Sequence, residues 1–212
     1  GQTIALVGPT GAGKTTIVNL ISRFYDVQQG KIYIDDYEIR DVTMKSLRQQ
    51  MGVMTQDNFL FTGTIRENIC YGRPEASEAE MVEAAKAVNA HEFIVKLENG
   101  YDTRISERGA QLSVGQRQLL AFARTMISDP RILILDEATS SIDTHTELLV
   151  QEGIRKLLEN RTSFVVAHRL STIRNADRIF VIDNRGILED GSHEELMEKK
   201  GAYYQLYESQ FS

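Results

Sequence analysis

The segment Gly8-Pro9-Thr10-Gly11-Ala12-Gly13-Lys14-Thr15 narrows the possible folds of this chain more than any other stretch. Ile4-Ala5-Leu6-Val7 before it is an apolar run that reads as a buried strand, and Ile17, Leu20 and Ile21 after it recur at helical spacing. A strand feeding a glycine-rich loop that opens a helix is the context the pattern G-x-x-x-x-G-K-[ST] requires. Gly11 and Gly13 let the backbone take positive φ and approach a ligand closely. The first-turn N–H groups of the helix then lack internal partners and point at a phosphate. Lys14 would reach the β- and γ-phosphates and the Thr15 hydroxyl would hold Mg²⁺. An ordinary glycine-rich turn is the alternative, but every fixed position of the pattern is filled between a strand and a helix. The prediction is a nucleoside triphosphate site spanning Gly8 to Thr16.

Composition enters as a set of bounds. A chain of 212 residues suits one large domain, or one domain with an inserted subdomain. A chain of that size buries about 70% of its extended surface on folding and needs no staples. Cys70 is the single cysteine, which excludes a disulfide framework and fits a reducing compartment. The longest apolar run, Leu119 to Ala123, is far too short to span a bilayer. No secretory or transit pattern is read at its start. A net charge of −6 without a lysine or arginine block argues against nucleic acid as a partner. The expectation is a cytosolic-type globular domain. Gly1 stands only two residues ahead of the first strand, which reads as the cut edge of a longer polypeptide.

Along the chain, Phe24 to Gly30 reads as a loop, and Lys31–Ile34 with Tyr37–Ile39 as a hairpin around the acidic turn Asp35-Asp36. A short helix over Thr43–Gln50 precedes the strand Met51–Met54, which leads to Gln56. A polar side chain ending an apolar strand of an α/β sheet lies where ligands bind, although a solvated loop glutamine has the same local pattern. From about Asn58 to Ser128 the pattern turns mostly helical, with no strand candidate. Ser77–Glu80 fits a capping box, and Met81, Ala84, Ala85 and Val88 follow on one face of a helix. His91 to Glu98 continues helically to a stop at Asn99-Gly100, with His91 read as a surface residue. Ser113 in Leu112-Ser113-Val114-Gly115-Gln116 stands where an N-cap belongs; the other reading is an anion site at a positive helix end. Toward the C-terminus, Ile179–Asp183 and Ile187–Asp190 read as a hairpin. Ser192–Glu195 caps a helix, and Ala202–Phe211 is helical with packed tyrosines. No chemistry is read for His145 or His193.

Taken together, the phosphate loop, the strand-end Gln56, Leu112–Gln116 opening a helix, and Ile132–Leu135 ending in Asp136-Glu137 resemble the nucleotide-binding domain of ABC transporters. Ser140-Ser141-Ile142-Asp143 resembles that family's D-loop, and His168 after Phe164–Ala167 stands at the position of its switch histidine. The resemblance runs from Gly1 to about Ser212. Tyr25-Asp26, Phe59 to Ile69, and Ala167 to Thr172 resemble the exporter branch. Val114 and Ser106 stand where the family commonly has glycine, while Ser113, Gly115 and Gln116 are intact. The resemblance places the adenine-stacking aromatic upstream of Gly1.

Phosphoryl transfer to water needs charge neutralised on the γ-phosphate and a positioned nucleophile. Asp136, at the end of a buried strand, would hold Mg²⁺ together with Thr15 and Gln56, and Glu137 would polarise the attacking water as general base. The alternative for such paired carboxylates is a helix-capping pair. The resemblance implies that Gln56 and His168 contact the γ-phosphate region, and that Gln56 couples to a membrane domain. It also implies that Ser113, Gly115, Gln116 and Asp143 serve a partner's ATP across a dimer interface.

The expected architecture is α/β: a P-loop NTPase core at 1–57 and 129–212, with a mostly parallel sheet flanked by helices, and an inserted helical subdomain at 58–128. The expected partners are a second nucleotide-binding domain, head to tail, and a transmembrane domain in the same polypeptide. The expected location is the cytoplasmic face of a membrane. A chromosome or repair ATPase of the same family would carry coiled-coil insertions and basic surfaces, which this chain lacks. A nonhydrolytic half of an asymmetric pair tends to lose the carboxylate that Glu137 supplies.

Overall fold

The computed structural model describes residues 1–55, 59–137, 143–184 and 186–211. In chain order, β1 (Thr3–Val7) leads to α1 (Lys14–Ile21), and β2 (Tyr33–Ile34) and β3 (Tyr37–Glu38) form a hairpin. Then come α2 (Met44–Gln49), β4 (Met51–Met54), β5 (Gly63–Thr64), α3 (Ile65–Cys70), α4 (Glu78–Ala87) and α5 (His91–Ile94). β6 (Arg104–Ile105), α6 (Val114–Ser128), β7 (Ile132–Asp136), α7 (Thr144–Leu158), β8 (Thr162–Val166) and α8 (Leu170–Arg174) follow. The chain closes with β9 (Arg178–Asp183), β10 (Gly186–Gly191), α9 (His193–Lys199) and α10 (Ala202–Phe211). Two compact units result: Gly1–Val53, Arg131–Thr139 and Asn160–Ser212 in one, Met54–Pro130 and Ser140–Glu159 in the other.

The first unit holds a six-stranded sheet in the order β10-β9-β1-β8-β7-β4. β1 pairs in parallel with β8 and with β9, β7 pairs in parallel with β8, and β10 runs antiparallel to β9. Every residue of β1 is buried, as expected of a strand inside a parallel sheet covered on both faces. Ile4 and Leu6 share one face and pack with Val18 of α1, Ile134 and Val166. Ile39, Leu47 and Met51 form a second core, to which the β2–β3 hairpin contributes Ile34. The Asp35-Asp36 turn works because Asp35 takes a left-handed φ of 51°, which an aspartate tolerates. At the end of the chain Tyr203 is fully buried, and its hydroxyl lies 2.7 Å from Nδ1 of His193.

Gly8 fixes how β1 meets β9. Its φ is 147°, and a Cβ there would lie 2.2 Å from the carbonyl oxygen of Ile182. The obstacle is main chain inside a sheet, so it cannot swing aside. Gly8→Ala should therefore destabilise the chain by about 2–4 kcal/mol through strain and overpacking. Thermal unfolding monitored by circular dichroism should show a midpoint lower by roughly 5–15 °C. An unchanged midpoint would contradict this close approach.

The second unit is built on α6. Leu119, Leu120, Ala121, Phe122 and Ala123 are all buried, and such a helix, apolar around much of its circumference, belongs at the centre of a bundle. α3, α4 and α7 pack against it. Met81, Ala84, Ala85 and Val88 are buried, and Ser77 and Glu80 form the anticipated capping box. Arg124 ties the segment before α3 to α6: Nε donates to the carbonyl of Asn68, Nη1 to that of Phe59 and Nη2 to Oδ1 of Asn68, each at 2.9 Å. Asn68 in turn holds Phe61 through both backbone groups and is itself buried.

Three observations depart from the sequence reading. β5 pairs antiparallel with β6 inside the stretch where no strand was expected. Each has two residues, too short to show alternation. The helical unit includes α7 as well as the 58–128 insertion, because the helix buries Val150, Gly153, Ile154 and Leu157 and packs on α6. His91 is half-buried rather than on the surface, with Nδ1 2.9 Å from the Tyr101 hydroxyl.

Candidate active site

The expected phosphate loop follows β1 and ends at Gly13, which takes φ 103° and forms the N-cap of α1. A side chain at Gly13 would meet open space, so glycine is needed there for its conformation. No side chain caps α1 and no acidic residue lies in its first turn, which leaves the positive end of the helix facing the loop. Lys14 is buried, and its ammonium donates to the carbonyls of Gly8 at 2.8 Å and Pro9 at 2.9 Å. Those bonds arch the loop around the ammonium. Thr15 and Thr16 are exposed on the first turn.

Sheet register assembles the rest. Leu6 pairs with Val166, and Val166 with Asp136, so the carboxyl ends of β1, β8 and β7 reach the same row. Gly8, His168 and Glu137 each follow just past that row. Ligands of open α/β sheets bind outside such strand ends. Burial pushes the Asp136 carboxyl above the usual range, opposed by the charges of His168 and Lys14. Burial likewise lowers the Lys14 ammonium, opposed by Asp136. Asp136 therefore feels both Lys14 and His168 at the sheet end. A buried ammonium and a half-buried carboxyl that feel each other mark a candidate site for a charged ligand.

Glu137 is 1% exposed. Its Oε2 accepts from the amides of His168 at 3.0 Å and Arg169 at 3.1 Å, and its Oε1 accepts from the Thr172 hydroxyl at 2.6 Å. The carboxylate thus serves the start of α8, which is the helix-capping alternative open at the level of sequence. His168 itself is exposed. Thr172 closes the exporter-like run Ala167 to Thr172. Its contact with Glu137 spans 35 positions and leaves no local signal.

Among the remaining candidates, Ser113 is exposed and caps α6, accepting from the Gln116 amide at 3.2 Å, while Gln116 Oε1 accepts from the Ser113 amide at 2.9 Å. That capping box is the local reading of the motif. Gly115 is buried in the first turn of α6. Asp143 caps α7 through the Thr146 amide at 3.0 Å, a bond that holds its carboxyl below the usual range. Gln56 and Ser140-Ser141-Ile142 lie outside the described residues. Among the described residues no helix is long and apolar enough to cross a membrane.

Known proteins share this arrangement. Residues 1–140 match the ABC transporter family. The chain is 56% identical over its full length to the uncharacterized ABC transporter ATP-binding protein YfiC of Bacillus subtilis, and covers 35% of that protein. It is 54% identical, again over its full length, to the ATP-dependent lipid A-core flippase of Syntrophus aciditrophicus, covering 35% of it. Identity to a fatty acid ABC transporter ATP-binding/permease protein of Mycobacterium bovis is 53%, over 97% of this chain and 33% of that one. A bacterial Atm1-family ABC exporter solved with ATP bound superposes with a TM-score of 0.92 at 45% identity, covering all of this chain and 37% of the other. The chain spans about a third of the length of the curated relatives it matches. With the phosphate loop, the acidic strand end and the following histidine at the carboxyl ends of neighbouring strands, the chain belongs to the ABC transporter family, as the ATPase domain of the kind that ABC exporters carry.

Proposed function

We propose that this chain binds ATP with Mg²⁺, hydrolyses it in a head-to-tail dimer, and drives export of a substrate through a transmembrane domain. The observation that carries the chemistry is the common row at the ends of β1, β8 and β7, which gathers Lys14, Asp136, Glu137 and His168. Lys14 and the loop Gly8 to Thr16, including Pro9, Thr10 and Ala12, hold the phosphates. Thr15, Asp136 and Gln56 would hold the metal, which would supply charge neutralisation to the phosphates. The half-buried Asp136 carboxyl, an oxygen donor at a strand end, suits a hard cation. Glu137 takes a proton from water as its oxygen bonds to the γ-phosphorus and the bond to the β-bridging oxygen breaks. His168 contacts the γ-phosphate and keeps that water in line. The transport role and the fused transmembrane domain are supported by the lipid, fatty acid and multidrug exporters among the relatives. In this reading the domain works on the cytoplasmic face of a membrane.

Ser113, Gly115, Gln116 and Asp143 serve the partner's nucleotide in this reading. Complementation tests it. Lys14→Ala and Ser113→Ala chains should each be nearly inactive alone, since every homodimer has two spoiled sites. Loss of the Ser113 cap alone costs about 1 kcal/mol, too little to unfold a domain. Mixed, the two variants pair one intact Lys14 with one intact Ser113, and random pairing should restore about a quarter of full turnover. A mixture that stays inactive, although the two chains associate, would overturn the shared site.

A further inference from the structure

Glu137 is held where water scarcely reaches it, at 1% exposure. A general base must offer a lone pair to its water within about 3.2 Å. Here donors from one short segment, His168 to Thr172, take three of the roughly four lone-pair sites of the carboxylate. Two of the three donors are backbone amides and belong to the fold. The third, and the shortest bond at 2.6 Å, comes from the Thr172 hydroxyl, which is itself buried. Bonds to an ionised acceptor are about twice as strong as neutral ones, so this contact weighs heavily in where the carboxylate rests.

We propose that Thr172 is a positioning residue that latches Glu137 against α8 in the resting conformation, so that hydrolysis begins only when the carboxylate leaves the latch. The inference rests on the reading of Glu137 as general base. The exposed His168 sits on the same segment, and its amide is one of the latch donors. A γ-phosphate that draws the His168 side chain would also disturb the bonds that hold Glu137, which couples arrival of ATP to release of the base. The same argument keeps turnover low without a correctly seated nucleotide.

The test compares Thr172→Val, which keeps the shape and removes the hydroxyl, with Thr172→Ser, which keeps the hydroxyl, in the full-length polypeptide. Thr172→Val should raise basal kcat at saturating ATP by about tenfold, the weight of one hydrogen bond to a charged group. ADP affinity should not change, because the phosphate loop is untouched. Thr172→Ser should restore the parent rate. Hydrogen exchange at the His168 and Arg169 amides, measured without nucleotide, should quicken in Thr172→Val and not in Thr172→Ser. A variant that was merely damaged would lose activity rather than gain it. An unchanged or reduced kcat in Thr172→Val overturns the latch. Glu137→Gln serves as the control: if it retained turnover, the base assignment would fall and the latch with it. If it is inactive while Thr172→Val shows no gain, the latch alone is refuted.

Discussion

Glu137→Gln should bind ATP with near-normal affinity and lose roughly 10²–10⁴-fold in turnover, the range for removing a general base. The loss should not come from misfolding, and the geometry says why. Oε2 accepts from two amides and Oε1 from the Thr172 hydroxyl. In the variant the amide oxygen can take the two N–H donors, and the new NH₂ can donate to Thr172, whose hydroxyl accepts as well as donates. Every polar atom stays paired. What disappears is the ability to take a proton from water. Nucleotide binding is expected of Lys14 and the loop around it, where the ammonium bonds to the carbonyls of Gly8 and Pro9. Measuring ATP affinity by titration and phosphate release by the same preparation separates the two effects. Full turnover by a dimer-competent variant would remove Glu137 from the mechanism.

Lys14→Ala and His168→Ala should fail in different ways. Lys14 is expected on the β- and γ-phosphates, so its loss should weaken both ATP and ADP by roughly 10–100-fold, the weight of a charged contact. His168 is expected on the γ-phosphate only, so His168→Ala should leave ADP affinity unchanged and reduce hydrolysis. The placement of the two side chains supports that division. Lys14 lies within the arch formed by Gly8 and Pro9, whereas His168 is exposed just past the end of β8. Lys14→Ala also leaves two carbonyls without their donor, so its melting temperature should be recorded beside its affinity. Equal loss of ADP binding in both variants would refute the division.

Much of this was legible because the signals are local. The run Ile4–Val7 and the loop that follows lie within one strand-turn-helix unit, and the structure places β1, Gly13 and α1 there. The capping boxes at Ser77, Ser113 and Ser192 are interactions across three positions, and all three form. The acidic turn at Asp35 and the hairpin around it are equally short-range. What stayed hidden depends on distant pairs. β5 and β6 are separated by 40 positions and carry two residues each, so no window of sequence contains the ladder. α7 joins the helical unit because its buried side meets α6, which its own periodicity cannot announce.

The amino-acid sequence by itself determined the parts of the site. Glycines where backbone must turn left-handed, a lysine opening a helix, and carboxylates closing an apolar strand follow from chemistry acting over a few residues. Tertiary structure alone decided that those parts meet. The parallel register Leu6–Val166–Asp136 brings together segments some 130 and 160 positions apart, a pairing that no local window of sequence contains. The same holds for the state of the base. Glu137 meets Thr172 because the register of β7 with β8 brings the end of one strand beside the segment that leaves the other, and that placement gives the carboxylate a hydroxyl as its partner.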